Sequence, residues 1–539
     1  MACTELPLPL SLLMAPQAYR LDPQQPLGRQ SAGAGFLEAY LRYGGNSQHH
    51  LVVTDPAHGQ WFHAEACRHN PAPQTVLTTL ANWGDSAAAT GAISLPGPGL
   101  DEWAWKRMPW GDGAFSLVGL VHTLCSRPVQ WGLGQFSAAP VRPWDALICT
   151  STAARQVLEG FLERQEAWLQ QRLGATRFER PQLPVIPLGV HAEAWAPPGG
   201  KTQAMAQARR QLNIPSDAVV VLLAGRLDIL TKFQPGPLLR ALADLQRHEL
   251  PELRLLIYGE APNAGMAELW RAGLAHAAPE LPVHWVPGRE RELAGPVRWA
   301  SDLFVSLADN PQETFGITPL EAMAAELPCL VSDWDGYRDT VTNDVGRRIP
   351  TRMVDGLGEA QSRGLLSESL AYDQAVGQLS QGIAVDPQAL RRELLELLSQ
   401  PQHLRAMGTA GCQRVEQLYA WPTVIGQWRD LIQELQTRRR QAHRAGDTTP
   451  AQLPPWLPSC STAFGVFASE MLQSDPTPPS NDERTSLISA AGQRLGSPLD
   501  AWDADLREEF LRWGEDASQI AGLSPRARGW LLKQGLITP

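Results

Sequence analysis

With 539 residues, 43% hydrophobic and 19% charged, the chain can build packed cores, which excludes wholesale disorder. At roughly 100–200 residues per domain it has room for about three domains. The formal net charge of −10 makes it a poor general binder of nucleic acid, so any phosphate it takes must be held in a local site.

The opening LPLPLSLLMAP is apolar but has no basic flank and is broken by prolines. It is expected to be a first buried strand over Leu8–Met14, not a signal peptide. A Gly-punctuated loop and a helix from about Gly35 to Tyr43 follow, then a strand over His50–Thr54. Residues 55–115 are rich in Gly, Pro, Ala and Trp and show little periodicity. Phe115–Leu124 and Ala146–Thr150 are short apolar runs of strand length, and Thr152–Leu173 is a long amphipathic helix. Beyond the extended link Leu183–Pro187 the pattern becomes regular. Strands are expected at Ala218–Leu223, Arg254–Tyr258, Val283–Val286, Leu303–Leu307 and Cys329–Ser332. Helices are expected at Pro237–Leu245, Ala261–Ala275, Arg289–Ala300 and Thr318–Ala325. Apolar strands without polar alternation, separated by helices, predict a parallel sheet covered on both faces. Its ligands bind beyond the carboxyl ends of the strands. Ala389–Leu435 is helical in pieces with a break near Trp421-Pro422. Residues 445–460 have linker composition, and the last stretch carries helical patterns such as Leu506–Trp513.

The seven cysteines (3, 67, 125, 149, 329, 412 and 460) are odd in number and contain no C-x-x-C pair. They predict reduced thiols in a cytoplasmic protein, with neither a disulfide framework nor a zinc site. No apolar run reaches the ~18 residues of a membrane span; peripheral membrane contact stays open.

The segment ADNPQETFGITPLEAMAAELPCLVSDWDG carries the chemistry. Glu313 lies on a loop beyond a strand, and Glu321, eight residues later, lies in the first turn of a helix. Thr318 has the chemistry of an N-cap and Pro319 that of a first helical residue, so free backbone N–H groups would face the crevice as an anion site. A Thr318–Glu321 capping box would also account for Glu321, but not for Glu313 or for Gly316 beside Phe315.

E-T-F-G-x-x-x-L-E-A-M-A resembles the E-x7-E signature of the retaining glycosyltransferases of family 4, which have the GT-B fold. VVVLLAGRLDILTKF resembles the family's G-R-L…K segment and supplies Arg226 and Lys232, the lysine one residue later than in many members. VIPLGVHAEAW, LRLLIYGEA, VHWVPG and LVSDWDGYRDTV resemble the family's flanking units, so the likeness is close over about residues 183–345. The resemblance implies an α/β GT-B chain, with two Rossmann-like doubly wound parallel-sheet domains facing a cleft, plus a helical C-terminal extension. The expected division is 1–182 for an acceptor-side domain and 183–420 for a nucleotide-sugar-binding domain. Residues 421–445 would be a terminal helix packing back on the first domain, 446–460 a linker and 461–539 the extension.

The resemblance also implies roles. Glu313 would lie by the donor sugar and Glu321 on the ribose hydroxyls, while Gly316, Ile317 and Thr318 would offer N–H groups to phosphate or sugar. Gly259 and Gly288 would line the base and ribose pocket, and His122 would lie near the donor sugar, although a lone His on an apolar run is usually a core residue. Gly28, Gly33 and Gly35 loosely resemble the family's Gly-rich first turn and are equally consistent with an ordinary loop. Independently of the resemblance, Arg226 and Lys232 are fixed cations suited to the charge that grows on a leaving diphosphate. With them in place no metal and no cofactor is expected. The implied partners are a UDP-, GDP- or ADP-hexose donor and a sugar, lipid or small-molecule acceptor. A phosphorylase on the same fold and a sugar-nucleotide-binding scaffold are the competing readings.

Two departures stand out. Glu326 replaces a small residue, often Gly. Asp333-Trp334-Asp335 has D-x-D form where the family uses small residues; a helix-capping loop is expected there. The absence of a K-T-G-G-L start disfavours a starch or glycogen synthase.

Overall fold

The computed structural model describes residues 7–21, 28–468, 481–495, 504–515, 524–534 and 536. In the first 150 residues six strands form: β1 (Ser11–Met14), β2 (Gln48–Val53), β3 (Gln74–Thr79), β4 (Ala92–Ser94), β5 (Ser116–Leu120) and β6 (Ala146–Ile148). They pair in parallel in the order β3-β2-β1-β4-β5-β6. A second set comprises β7 (Val219–Ala224), β8 (Leu253–Gly259), β9 (Val283–Pro287), β10 (Leu303–Ser306), β11 (Cys329–Ser332) and β12 (Gly346–Ile349). It repeats the topology in parallel, in the order β12-β11-β10-β7-β8-β9. In each sheet the strand order reverses once, between β1 and β4 and between β7 and β10. That reversal opens a crevice at the carboxyl ends of the strands.

The second sheet shows why its strands read so clearly. Alternate residues of a strand face opposite sides. Val221, Leu223, Leu255, Ile257 and Val305 enter one core, and Val220, Leu222, Leu256, Phe304 and Val331 enter another. With both faces covered by helices, no polar alternation is left.

The first domain departs from expectation. The helix begins at Gly28, not near Gly35, and runs to Tyr43, so Gly28, Gly33 and Gly35 lie inside it and form no loop before it. Packing explains this. A Cβ on Gly33 would lie 1.9 Å from the Ala18 carbonyl oxygen, and one on Gly35 would meet the Trp421 ring at 3.0 Å. The stretch 55–115 holds β3, β4 and the helices Pro56–Ala66, Trp83–Thr90 and Leu100–Arg107. They escape the sequence because β3 is a half-exposed edge strand, β4 has three residues, and the helices are rich in Ala and Trp.

The chain passes between the two sheets twice. On the way out, Cys149 pairs with Val185 beside β6. On the way back, a π-helical turn at Val415–Tyr419 precedes extended Ala420, and the Val190 N–H donates to the Tyr419 carbonyl at 2.9 Å. The helix Trp421–Ala445 then buries Trp421, Val424, Ile425 and Trp428 in the first domain's core, with Trp428 4.7 Å from Phe36. The stretch expected as a linker is divided. Thr449 and Gln452 are hydrogen-bonded to Asp112 and Met108 of the first domain, whereas residues 453–539 form a separate unit. Within that unit the helices Asn481–Leu495, Ala504–Glu515 and Pro525–Lys533 share a core of Ala491, Leu495, Leu506, Phe510, Ala527 and Leu531. Among the described residues no helix is long and apolar enough to cross a membrane.

Glu326 follows the helix Ile317–Ala324 with φ +53, in the left-handed region that favours glycine. Glu326→Gly is therefore expected to stabilise the protein by about 0.5–1 kcal/mol, after allowing for glycine's greater unfolded entropy. A higher melting temperature than wild type checks this, and an unchanged or lower one contradicts it.

Candidate active site

The turn after β7 and the loop after β10 flank the switch point of the second sheet. In the first, Asp228 accepts from the Leu230 N–H at 2.9 Å and from the Thr231 hydroxyl, and so folds the turn that carries both cations. Arg226 donates to the Thr231 hydroxyl at 2.8 Å and lies 3.9 Å from Asp228. Asn310 ties the two segments together. Its amide donates to the Lys232 carbonyl at 2.7 Å, and its side-chain oxygen accepts from the Gln312 N–H at 3.1 Å. Asp309 accepts from the Gln234 N–H and the Ser380 hydroxyl, and burial pushes its carboxyl up to about 6.

These braces bring Lys232 and Glu313 together: the ammonium donates to Glu313 Oε2 at 3.1 Å. Glu313 Oε1 accepts from the Gly316 N–H at 3.1 Å. Burial alone would raise the Glu313 carboxyl. The charge and hydrogen bond of Lys232, with backbone N–H groups of Phe315 and Thr314, outweigh it and hold the group below the usual carboxylate range. Glu313 is thus an ionised carboxylate.

The helix start differs from expectation. Gly316, not Thr318, is the N-cap, with φ +82 and no side-chain cap; Ile317, Thr318 and Pro319 are the first three helical residues. Glycine is required there, because a Cβ would fall 2.1 Å from the Tyr337 ring. Glu321 is therefore the fifth helical residue, two residues further in than expected, and no capping box with Thr318 forms. The N–H groups of Ile317 and Thr318 are first-turn donors without intrahelical acceptors.

Glu321 instead meets Arg298, whose guanidinium donates to Glu321 Oε2. Burial pushes the Glu321 carboxyl above its usual range, against the pull of Arg298. Arg298 lies over the Trp195 ring at 4.2 Å. Neither residue was singled out in the sequence: a lone Arg in a short helix and a Trp at the domain entrance carry no local signal. Gly259 and Gly288 close β8 and β9 side by side, with the Gly288 N–H donating to the Gly259 carbonyl at 3.0 Å. A Cβ on Gly259 would lie 2.1 Å from the Gly225 oxygen, so strand-end packing alone demands that glycine.

From the first domain, His122 follows β5, and its Nε2–H donates to the Pro96 carbonyl at 3.0 Å. Burial lowers its pKa, so the ring is neutral at pH 7. Its backbone carbonyl accepts from the Thr314 hydroxyl at 3.1 Å, which puts His122 opposite the residue next to Glu313. Thr150, donating to the Thr314 carbonyl at 3.3 Å, and Asp339, accepting from the Thr152 N–H at 2.6 Å, join the same two faces. A small, mostly apolar cavity at the first domain's own switch point is lined by Tyr19, Gly33, Phe36, Pro96, His122 and Trp428. Of the three N-terminal glycines only Gly33 lines it; Gly28 opens the helix and Gly35 backs onto Trp421.

The D-x-D residues part company. Asp333 faces Arg338 and Arg348 at 3.4 and 3.5 Å. Asp335, at φ +38, accepts from the Tyr337 N–H at 3.3 Å, as expected of a capping loop, and its other oxygen is buried without a hydrogen-bond partner. Such an atom costs about 1–3 kcal/mol. Among the described residues no group of three or more His, Cys, Asp or Glu side chains is placed to hold a metal ion.

Comparison with known proteins adds what the chain resembles. Residues 205–375 match the model of the glycosyl transferases group 1. D-inositol 3-phosphate glycosyltransferase of Streptomyces avermitilis is 30% identical over 275 residues, 49% of this chain and 49% of that protein. The protein of the same name from Kineococcus radiotolerans is 29% identical over 240 residues, 43% of this chain and 47% of its own. The chain thus spans about half the length of the curated relatives it matches. Among solved structures, a glycosyltransferase from Rickettsia africae superposes with a TM-score of 0.54 over 79% of this chain and 97% of that one, at 12% identity; this likeness speaks for the fold alone. Two parallel sheets of one topology, with the stretch that matches the group 1 glycosyltransferases on the second of them, give this chain the GT-B fold and make it similar to the family 4 glycosyltransferases.

Proposed function

We propose that this protein transfers a hexose from a nucleotide donor (UDP-, GDP- or ADP-linked) to a hydroxyl of a sugar, lipid or small-molecule acceptor, with retention at the anomeric carbon. The observation that carries the reading is the meeting of Lys232, ionised Glu313 and the N-terminus of the helix Ile317–Ala324 at one switch point. As the glycosidic bond breaks, negative charge grows on the leaving diphosphate. Arg226, Lys232 and the first-turn N–H groups of Ile317 and Thr318 supply fixed positive potential there. Positive charge builds at the anomeric carbon, and Glu313 supplies the matching negative potential. Glu321 holds the ribose hydroxyls, Gly259 and Gly288 border the base and ribose, His122 lies near the donor sugar, and the acceptor binds on the side of the first domain. A cytoplasmic location is the setting this reading assumes.

The test is a thermal-shift screen against UDP, GDP and ADP and their hexose conjugates. One nucleotide series is expected to raise the melting temperature in a concentration-dependent way. No shift with any of them at millimolar concentration would reject the reading.

A further inference from the structure

We infer that Arg298 is a positioning residue for the nucleotide site: it aims the Glu321 carboxylate so that the protein selects ribonucleotides over deoxyribonucleotides. The inference rests on the proposed ribose role of Glu321 and goes beyond it by naming what enforces that role.

Arg298 lies near the end of the short helix Ala294–Trp299 and is held from several directions, although its Nε is buried without a hydrogen-bond partner. Its guanidinium stacks over Trp195 at 4.2 Å, with the Tyr258 ring at 6.0 Å. One terminal nitrogen donates to the Ala294 carbonyl at 2.7 Å and the other to Glu321 Oε2. Its backbone carbonyl accepts from the Lys201 ammonium at 3.2 Å; that ammonium also donates to the Ala325 carbonyl at 3.2 Å, just past the end of the helix that carries Glu321. The Tyr258 hydroxyl donates to the Gly288 carbonyl at 3.3 Å, so the proposed base wall is joined to the same cluster.

Exposure separates the two partners. The Arg298 side chain is 3% exposed and that of Glu321 21% exposed. Glu321 therefore offers some surface to a ligand, while the guanidinium is covered. One arm of the guanidinium is anchored on the Ala294 carbonyl and the other takes Oε2, which holds the carboxylate in place and leaves Oε1 to accept from a hydroxyl. A carboxylate locked in this way loses little freedom on binding, the condition for a group that discriminates by one hydroxyl.

The experiment measures dissociation constants by calorimetry for UDP, GDP and ADP and their 2′-deoxy counterparts, with wild type, Arg298→Gln and Arg298→Lys, each checked for folding by its melting curve. Wild type is expected to prefer the ribo form by about 10–100-fold, the scale of a hydrogen bond to a charged group. Arg298→Gln should bring the preference to within about threefold, and Arg298→Lys, with a point charge and no planar fork, should fall between. An arginine that merely neutralises a buried carboxylate would lower the melting temperature without moving the preference. Folded Arg298→Gln that keeps the wild-type preference overturns the inference and leaves the proposed function standing. If Arg298→Gln does not fold, Arg298→Lys decides, and an unchanged preference there overturns it. Wild type that binds ribo and deoxy forms alike removes the ribose role of Glu321 and the inference with it. Wild type that binds no nucleotide removes the proposed function as well.

Discussion

Neutral replacement of Arg226 or Lys232 is expected to lower kcat by about 10²–10³, the scale of losing one preorganised donor to charge that develops in the transition state. The structure separates the two variants by their effect on stability. Arg226 is held by Thr231 and Asp228, both in its own turn, so Arg226→Gln should leave the melting temperature nearly unchanged. Lys232 is the ion-pair partner of Glu313, with side-chain exposures of 34% and 21%. Lys232→Gln leaves that carboxylate partly buried and unpaired, so it should lower the melting temperature as well as kcat, although solvent screens part of the loss. Steady-state kinetics with melting curves check both. Arg226→Gln with kcat near wild type would remove Arg226 from the mechanism.

The two glutamates should fail in different ways. Glu313→Gln keeps the acceptor for the Gly316 N–H and loses the charge, so the loop should persist while kcat falls by a similar 10²–10³. Glu321→Gln removes a contact made equally in ground and transition states. That raises the donor KM with little change in kcat. It also leaves the Arg298 guanidinium, 3% exposed, without its anion, so a lower melting temperature should accompany the KM effect. The diagnostic is the split. If Glu321→Gln melts lower with unchanged KM, the pair with Arg298 is structural only. If Glu313→Gln retains kcat, the E-x7-E spacing is present without its chemistry.

What could be read along the chain was whatever depends on neighbours in sequence. The strands of the second sheet announce themselves because burial on both faces leaves an uninterrupted apolar run, as in Val219–Ala224. Glu313, Glu321, Arg226 and Lys232 lie in short motifs of fixed spacing, so their candidacy did not need the fold. The first domain is different. Gly28–Tyr43 is helical although three of its first eight residues are glycines, because Gly33 must pass the Ala18 carbonyl and Gly35 the Trp421 ring, 386 residues further on. β3 and β4 are legible only as members of a sheet, one at its edge and one too short to show a period.

By itself, then, the sequence determined the class of fold, the parallel second sheet and the residue types available for a diphosphate and a sugar. Tertiary structure decided which of them meet. Lys232 reaches Glu313 because Asn310 binds the two loops together across the switch point. Glu321 meets Arg298, not Thr318, because the helix starts at Ile317: Gly316, packed against Tyr337, takes the left-handed cap. His122 comes opposite Thr314 only when the carboxyl ends of two separate sheets face each other. Each of these contacts depends on the geometry of segments distant in the chain, and no local pattern of residues encodes a distance between them.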